Sequence, residues 1–122
     1  ALHCAAEAAA DTDWEQIELL YRRLWAHRPT PVVALNRAVA TAEVHGADAG
    51  LHRLSGPWFD DALGEYPYLH STRADFLRRL GRFDEAIDAD RRALELTAHD
   101  ADRRFLRMRL DELGAEERGE AG

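Results

Sequence analysis

The chain has 122 residues, a net charge of −7 and a hydrophobic content of 46%. A chain of that length folds as one ordinary domain, burying roughly two-thirds of its unfolded surface without a metal or disulfide staple. Cys4 is the only cysteine, so an internal disulfide is excluded, and the acidic balance opposes nonspecific grip on DNA, which comes from basic charge. No apolar run approaches the length that spans a membrane, and no signal peptide is visible.

Taken in order, the segments read as helices. Ala1 to Ala10 is Ala-rich and favours a helix. Asp11-Thr12-Asp13 breaks it, and Thr12 with Glu15 has the spacing of a capping box for a helix over Trp14 to His27. Ile17, Leu20, Tyr21 and Leu24 mark one apolar face of that helix. Thr30 and Pro31 then open a helix that Gly46 closes. A short helix covers Ala47 to Leu54. Ser55 to Tyr68 is the least regular stretch, punctuated by Gly56, Pro57, Gly64 and Pro67. Helices resume over Tyr68 to Leu80, Phe83 to Thr97 and Asp100 to Leu113, and residues 115–122 have no apolar face and read as a frayed tail. Met108 is the only methionine, all 16 basic residues are arginine, and Leu2 to Ala10 already reads as helix. We therefore expect a fragment of a longer protein, its folded part covering residues 1–114.

The helices pair as repeats. Thr12, Gly46 and Gly81 recur at 34 and 35 residues, the tetratricopeptide period. Phe83, Ala86 and Ala93 after Gly81 correspond to Trp14, Ile17 and Leu24 after Thr12. The expected fold is all-α: tetratricopeptide-like helix–turn–helix repeats, about six to seven helices, in a short right-handed array. Three positions depart from the pattern. Asp90 stands where a large apolar residue is usual, Ala98 where a helix-ending proline is usual, and Gly50-Leu51 replaces the pair Ala86-Ile87.

Chemistry is sparse in the sequence. His3, Cys4, His27, His45, His52, His70 and His99 fall in no metal-ligand spacing. There is no nucleophile elbow, glycine-rich phosphate loop or P-loop, so neither an enzyme nor a cofactor site is expected. The acidic residues stand near helix starts or at ion-pair spacing from Arg91, Arg92, Arg103, Arg104 and Arg107, which reads as a solvated face packed through Leu106, Leu110 and Leu113.

Two features invite a binding role. Thr30 to Gly46 is apolar nearly all round, yet Asn36 and Arg37 sit in its middle. A buried Asn without a hydrogen bond costs about 1–3 kcal/mol. Either Asn36 ties an adjacent helix end, or Asn36, Arg37 and Arg73 line a concave surface that receives a partner segment. Trp58 and Phe59, with Tyr66 and Tyr68, crowd the irregular stretch. They either seal the groove between the second and third repeats or anchor an interface.

Asp13-Trp14, the run PVVALNRAVA from Pro31 to Ala40, and RADFLRRLGR from Arg73 to Arg82 carry a resemblance over nearly the whole chain. They are similar to the C-terminal tetratricopeptide-like extension of a group of bacterial extracytoplasmic-function (ECF) RNA polymerase sigma factors. The resemblance implies a cytoplasmic, regulatory protein-interaction domain that supports or tunes transcription initiation. Its implied partners are the sigma core regions of the same polypeptide or RNA polymerase. Promoter DNA would be touched only through regions N-terminal to this chain, and no membrane is involved. The alternative from another class is a stand-alone scaffold or cochaperone module that binds peptide segments.

Overall fold

The computed structural model describes residues 13–119, and all regular structure among them is helical. Seven helices follow in order: α1 Trp14–His27, α2 Pro31–His45, α3 Ala47–Arg53, α4 Pro57–Leu63, α5 Pro67–Arg79, α6 Phe83–Leu96 and α7 Asp100–Glu117. α1 packs on α2 and α2 on α3, α4 touches α2, α3 packs on α5, and α5, α6 and α7 follow in succession. The result is an all-α helical repeat array. The Ala-rich segment at residues 1–10 lies outside the described residues, and so does Thr12.

The helix ends obey local chemistry, with three corrections. α1 is capped by Asp13, where the sequence pattern points to the residue before it: the Asp13 carboxylate accepts from the Gln16 backbone N–H at 3.1 Å. A carboxylate there also meets the positive end of the helix dipole. Thr30 caps α2 as expected, its hydroxyl accepting from Val33 N–H at 3.2 Å, with Pro31 in the first turn. The stretch expected to be irregular holds α4, and Pro57 and Pro67 begin helices instead of breaking them. A proline in the first turn forfeits no hydrogen bond, so each of these residues opens a helix. The third correction is at the C-terminus. α7 runs through Gly114 to Glu117, where residues from 115 on are expected to fray, and Gly119, at φ 75°, donates its N–H to the Glu116 carbonyl at 3.0 Å.

The α5–α6 turn shows why Gly81 is needed. Arg82 N–H donates to Leu77 carbonyl at 2.9 Å and Gly81 N–H to Arg78 carbonyl at 3.0 Å, with Gly81 at φ 75°. This is a Schellman closure, which requires one left-handed residue.

Two apolar clusters form the core. Leu35, Ala38, Ala42, Leu54, Phe59, Leu69 and Phe76 make one, and Leu77, Ala86, Ile87 and Leu113 the other; Leu51 packs against both. Gly50 lies where α3 crosses α2 and α5. A Cβ there would stand 2.6 Å from the Ala42 Cβ and 2.9 Å from a Phe76 ring carbon. The departure at Gly50 is therefore a close helix approach, not a lost contact.

The two other departures are also resolved. Asp90 is fully buried, and both of its carboxylate oxygens accept from Arg109, each at 2.6 Å. Arg109 also donates to the Ser71 carbonyl at 2.8 Å, so one guanidinium joins α5, α6 and α7. Burial raises the Asp90 carboxyl above the usual carboxylate range, and Arg109's hydrogen bonds and charge oppose that shift. Beside Ala98, Arg103 donates to the carbonyls of Leu94 and Thr97, each at 2.8 Å. It caps α6 where a proline is usual, so it is not part of a solvated ion-paired face. Leu106 and Leu113 are buried and Leu110 half-buried, as the packing stripe requires.

The inner face of α1 differs from expectation. Leu20 and Leu24 are exposed among the described residues, Ile17, Trp14, Tyr21 and Trp25 are half-buried, and Glu18 is buried. The stripe turned inward is Trp14, Glu18, Tyr21 and Trp25, at spacings of four, three and four residues. The two large indoles set the rotation of the helix, and Glu18 falls on the inside because of it.

Candidate functional site

Glu18 is where the polar chemistry of the N-terminal half converges. It is 6% exposed. The Thr41 hydroxyl on α2 has one proton shared between a Glu18 carboxylate oxygen, at 3.2 Å, and the Arg37 carbonyl, at 2.9 Å. Arg22, one turn further along α1, approaches at 3.4 Å, and His45 Nε2 lies 3.5 Å away. A carboxylate with this many neighbours is satisfied, as a buried charge must be.

Arg37 is not. Its Nε is the one buried side-chain nitrogen or oxygen among the described residues without a hydrogen-bond partner. Burial lowers its pKa, repulsion from Arg53 and from Arg22 lowers it further, and Glu18 pulls it back up. Buried polar groups are nearly always paired, so an orphan of this kind asks for a cause. Arginines such as Arg23 and Arg107 stand fully exposed, where water serves them. A hollow of about 690 Å³ opens between α2 and α3, lined by Thr41, His45, Asp48, Ala49, His52 and Arg53.

The structure separates the five residues singled out from sequence. Asn36 and Arg37 stay together on α2. Asn36 is half-buried, and its amide hydrogen-bonds to no described residue, so it does not tie a neighbouring helix end among them. Arg73 lies elsewhere and is committed. It donates to Asp60 on α4 at 2.7 Å and to the Leu54 carbonyl at the end of α3, also at 2.7 Å. That double contact fastens α3, α4 and α5. Phe59 is 5% exposed and belongs to the core. Trp58 is 46% exposed; it meets Phe59 edge-on at 4.8 Å and Trp25 of α1 at 6.0 Å. The aromatic pair thus bridges α1 to α4 and the core.

Sequence reasoning missed Glu18, Arg22 and Arg53. The signal for Glu18 was its place in the aromatic stripe, one helical turn from Trp14 and from Tyr21 and two from Trp25. Nothing local marks Arg53, because its nearness to Arg37 depends on how α3 folds back. A second hollow of about 760 Å³ lies at the other end, walled by Tyr66, Tyr68, Leu96, Phe105 and Leu106. Among the described residues no group of three His, Cys, Asp or Glu side chains is placed to hold a metal ion, and no helix is long and apolar enough to cross a membrane.

No family model matches the chain. It is similar to an uncharacterized protein of Rhizobium meliloti (strain 1021), 42% identical over 116 residues, which is 95% of this chain. The chain spans 27% of that relative's length.

Proposed function

We propose that this chain is the regulatory, protein-contacting C-terminal domain of an ECF-type RNA polymerase sigma factor, working in the bacterial cytoplasm. One observation carries the reading. The run Pro31 to Ala40, one of the three most specific pieces of the resemblance, builds α2, and it leaves Arg37 with a buried, unpartnered Nε and Asn36 with a free amide among the described residues. Buried polar groups are nearly always paired, so unpaired ones in this run ask for a role beyond packing the array. The partner is the sigma core of the same polypeptide or the polymerase. Promoter DNA is contacted by other regions, consistent with the net charge of −7.

The test is run-off transcription by a sigma factor carrying this domain, with Arg37→Glu. Transcription should fall about tenfold, the usual scale for reversing a close interfacial charge, while helicity by circular dichroism is retained. Unchanged transcription removes this face from the docking role. Arg73→Glu serves as the contrast: it breaks contacts to Asp60 and Leu54, so any loss it causes reports on the fold.

The convergence of Arg22, Arg37 and Arg53 favours a second reading, a scaffold that holds peptide segments. Retained capture of acidic peptides by a domain with no influence on transcription selects it.

A further inference from the structure

We propose that the hollow walled by the start of α5, the end of α6 and the first turns of α7 binds a small organic cation with a quaternary ammonium head. The assignment stands apart from the docking role proposed above and concerns the other half of the array.

The walls decide the class of ligand. The hollow measures about 760 Å³, within the range of small-molecule sites. Three aromatic side chains line it, Tyr66 and Tyr68 at the start of α5 and Phe105 on α7. All three are exposed, although rings of this size usually bury themselves in a core or an interface. The planes of the two tyrosine rings stand at 74°, with centroids 6.2 Å apart, so they make adjoining walls and not a flat stack. The buried side chain of Leu106 and the half-buried Leu96 also line the hollow. Aromatic rings set around a space attract a cation through the negative faces of their π-systems.

Charge points the same way. Among the described residues no lysine or arginine lines the hollow, so an anion meets no guanidinium or ammonium there. Asp102 is the one carboxylate on the walls, and it makes no ion pair or hydrogen bond to any described residue. Its neighbour Arg103 is engaged by the carbonyls of Leu94 and Thr97. Arg109 lies 5.2 Å from the Phe105 ring centroid, but it is paired with Asp90 and is not on the walls. Asp102 therefore stays uncompensated.

Hydrogen-bonding capacity narrows the choice. The Thr97 hydroxyl donates to the Ala93 carbonyl at 2.6 Å, and the Ser71 hydroxyl to the Tyr68 carbonyl at 3.3 Å. Both aliphatic hydroxyls on the walls are thus engaged by their own chain, which disfavours a sugar or another neutral polar ligand. A primary ammonium would bring three N–H donors to a single free carboxylate. A quaternary ammonium brings none, and its methyl groups pack on the rings while its charge answers Asp102.

The experiment is a titration of the chain with choline at low ionic strength, followed by the ring-proton resonances of Tyr66, Tyr68 and Phe105. His99 also lines the hollow, so the titration is run at about pH 8, above the ordinary histidine range. The control is the neutral analogue of choline in which carbon replaces the ammonium nitrogen. Choline should shift these resonances saturably, and the analogue should bind about tenfold more weakly. Phe105→Ala and Tyr68→Ala should each weaken choline about fivefold, Asp102→Asn by a similar factor, and Tyr68→Phe should bind like the wild type. Tyr68, Asp102 and Phe105 are exposed, so these variants keep the fold. Equal binding of the neutral analogue overturns the proposal and leaves an apolar groove. Binding unchanged by Asp102→Asn, or by Phe105→Ala with Tyr68→Ala, overturns it as well, and so does the absence of a saturable shift. Sedimentation with phosphatidylcholine vesicles without any response to free choline would refute the small cation and assign the face to a lipid surface.

Discussion

The two halves of the array handle charge in opposite ways. In α5, α6 and α7 the deepest charge, Asp90, is met on both oxygens by Arg109, and the second helix end is capped by Arg103. In α1, α2 and α3 the deepest charge, Glu18, is shared among Thr41, Arg22 and His45, while Arg37 is left with a bare Nε. The same residue types therefore do different things. A guanidinium that closes on its own chain holds structure, and one held off its own carboxylates does not.

Variants sharpen the contrast. The largest effect is expected at the buried pair. Asp90→Ala leaves Arg109 desolvated and unpaired, and chemical denaturation should show a loss of about 3–5 kcal/mol. The double variant Asp90→Leu with Arg109→Met should recover most of it, because matched apolar side chains remove both desolvation penalties. A smaller loss is expected where the halves meet. Gly50→Ala forces a methyl into the Ala42 and Phe76 contact and should lower the urea midpoint by an amount equivalent to about 1–3 kcal/mol, despite the better helix propensity of alanine. The smallest is at the open site. Arg53→Gln should change stability by no more than about 0.5 kcal/mol, because it removes a repulsion with Arg37 and breaks no contact. A large loss there would mean that Arg53 is structural and would erase the difference between the halves.

Much of the fold was legible because helix signals are local. Thr30 with Pro31, Gly81 with Phe83, and the Leu106, Leu110, Leu113 stripe act within one or two turns, and each stands where its spacing placed it. The misreadings share a cause. Leu20 and Leu24 were taken for the inner face of α1 because apolar residues count alike in a periodicity argument, whereas Trp14 and Trp25 fix the rotation by bulk. Pro57 and Pro67 were read as breakers, although proline ends one helix and begins another with equal ease. The candidate site was legible only in part. Asn36 and Arg37 could be picked out as polar residues in an apolar run. Arg73 could not be told from Arg37 by sequence, since what separates them is a carbonyl on α3 and a carboxylate on α4 that only tertiary packing brings near. Arg109, which pairs with the fully buried Asp90, cannot be told from Arg107 by sequence because the two differ only in which side of α7 they occupy.

Arg109 has a consequence for where the cooperative unit ends. It sits on the last helix, yet its hydrogen bonds are to the two helices before it, at Asp90 and Ser71. If α7 detached, Asp90 would become a lone charge inside the protein and Ser71 would lose its donor. The last helix therefore behaves as a latch whose release unseats α6 and loosens α5, and the three must open and close in hydrogen exchange as one body. In this array the limit of the smallest independently folding piece is set by a single guanidinium near the C-terminus, not by the edge of a repeat.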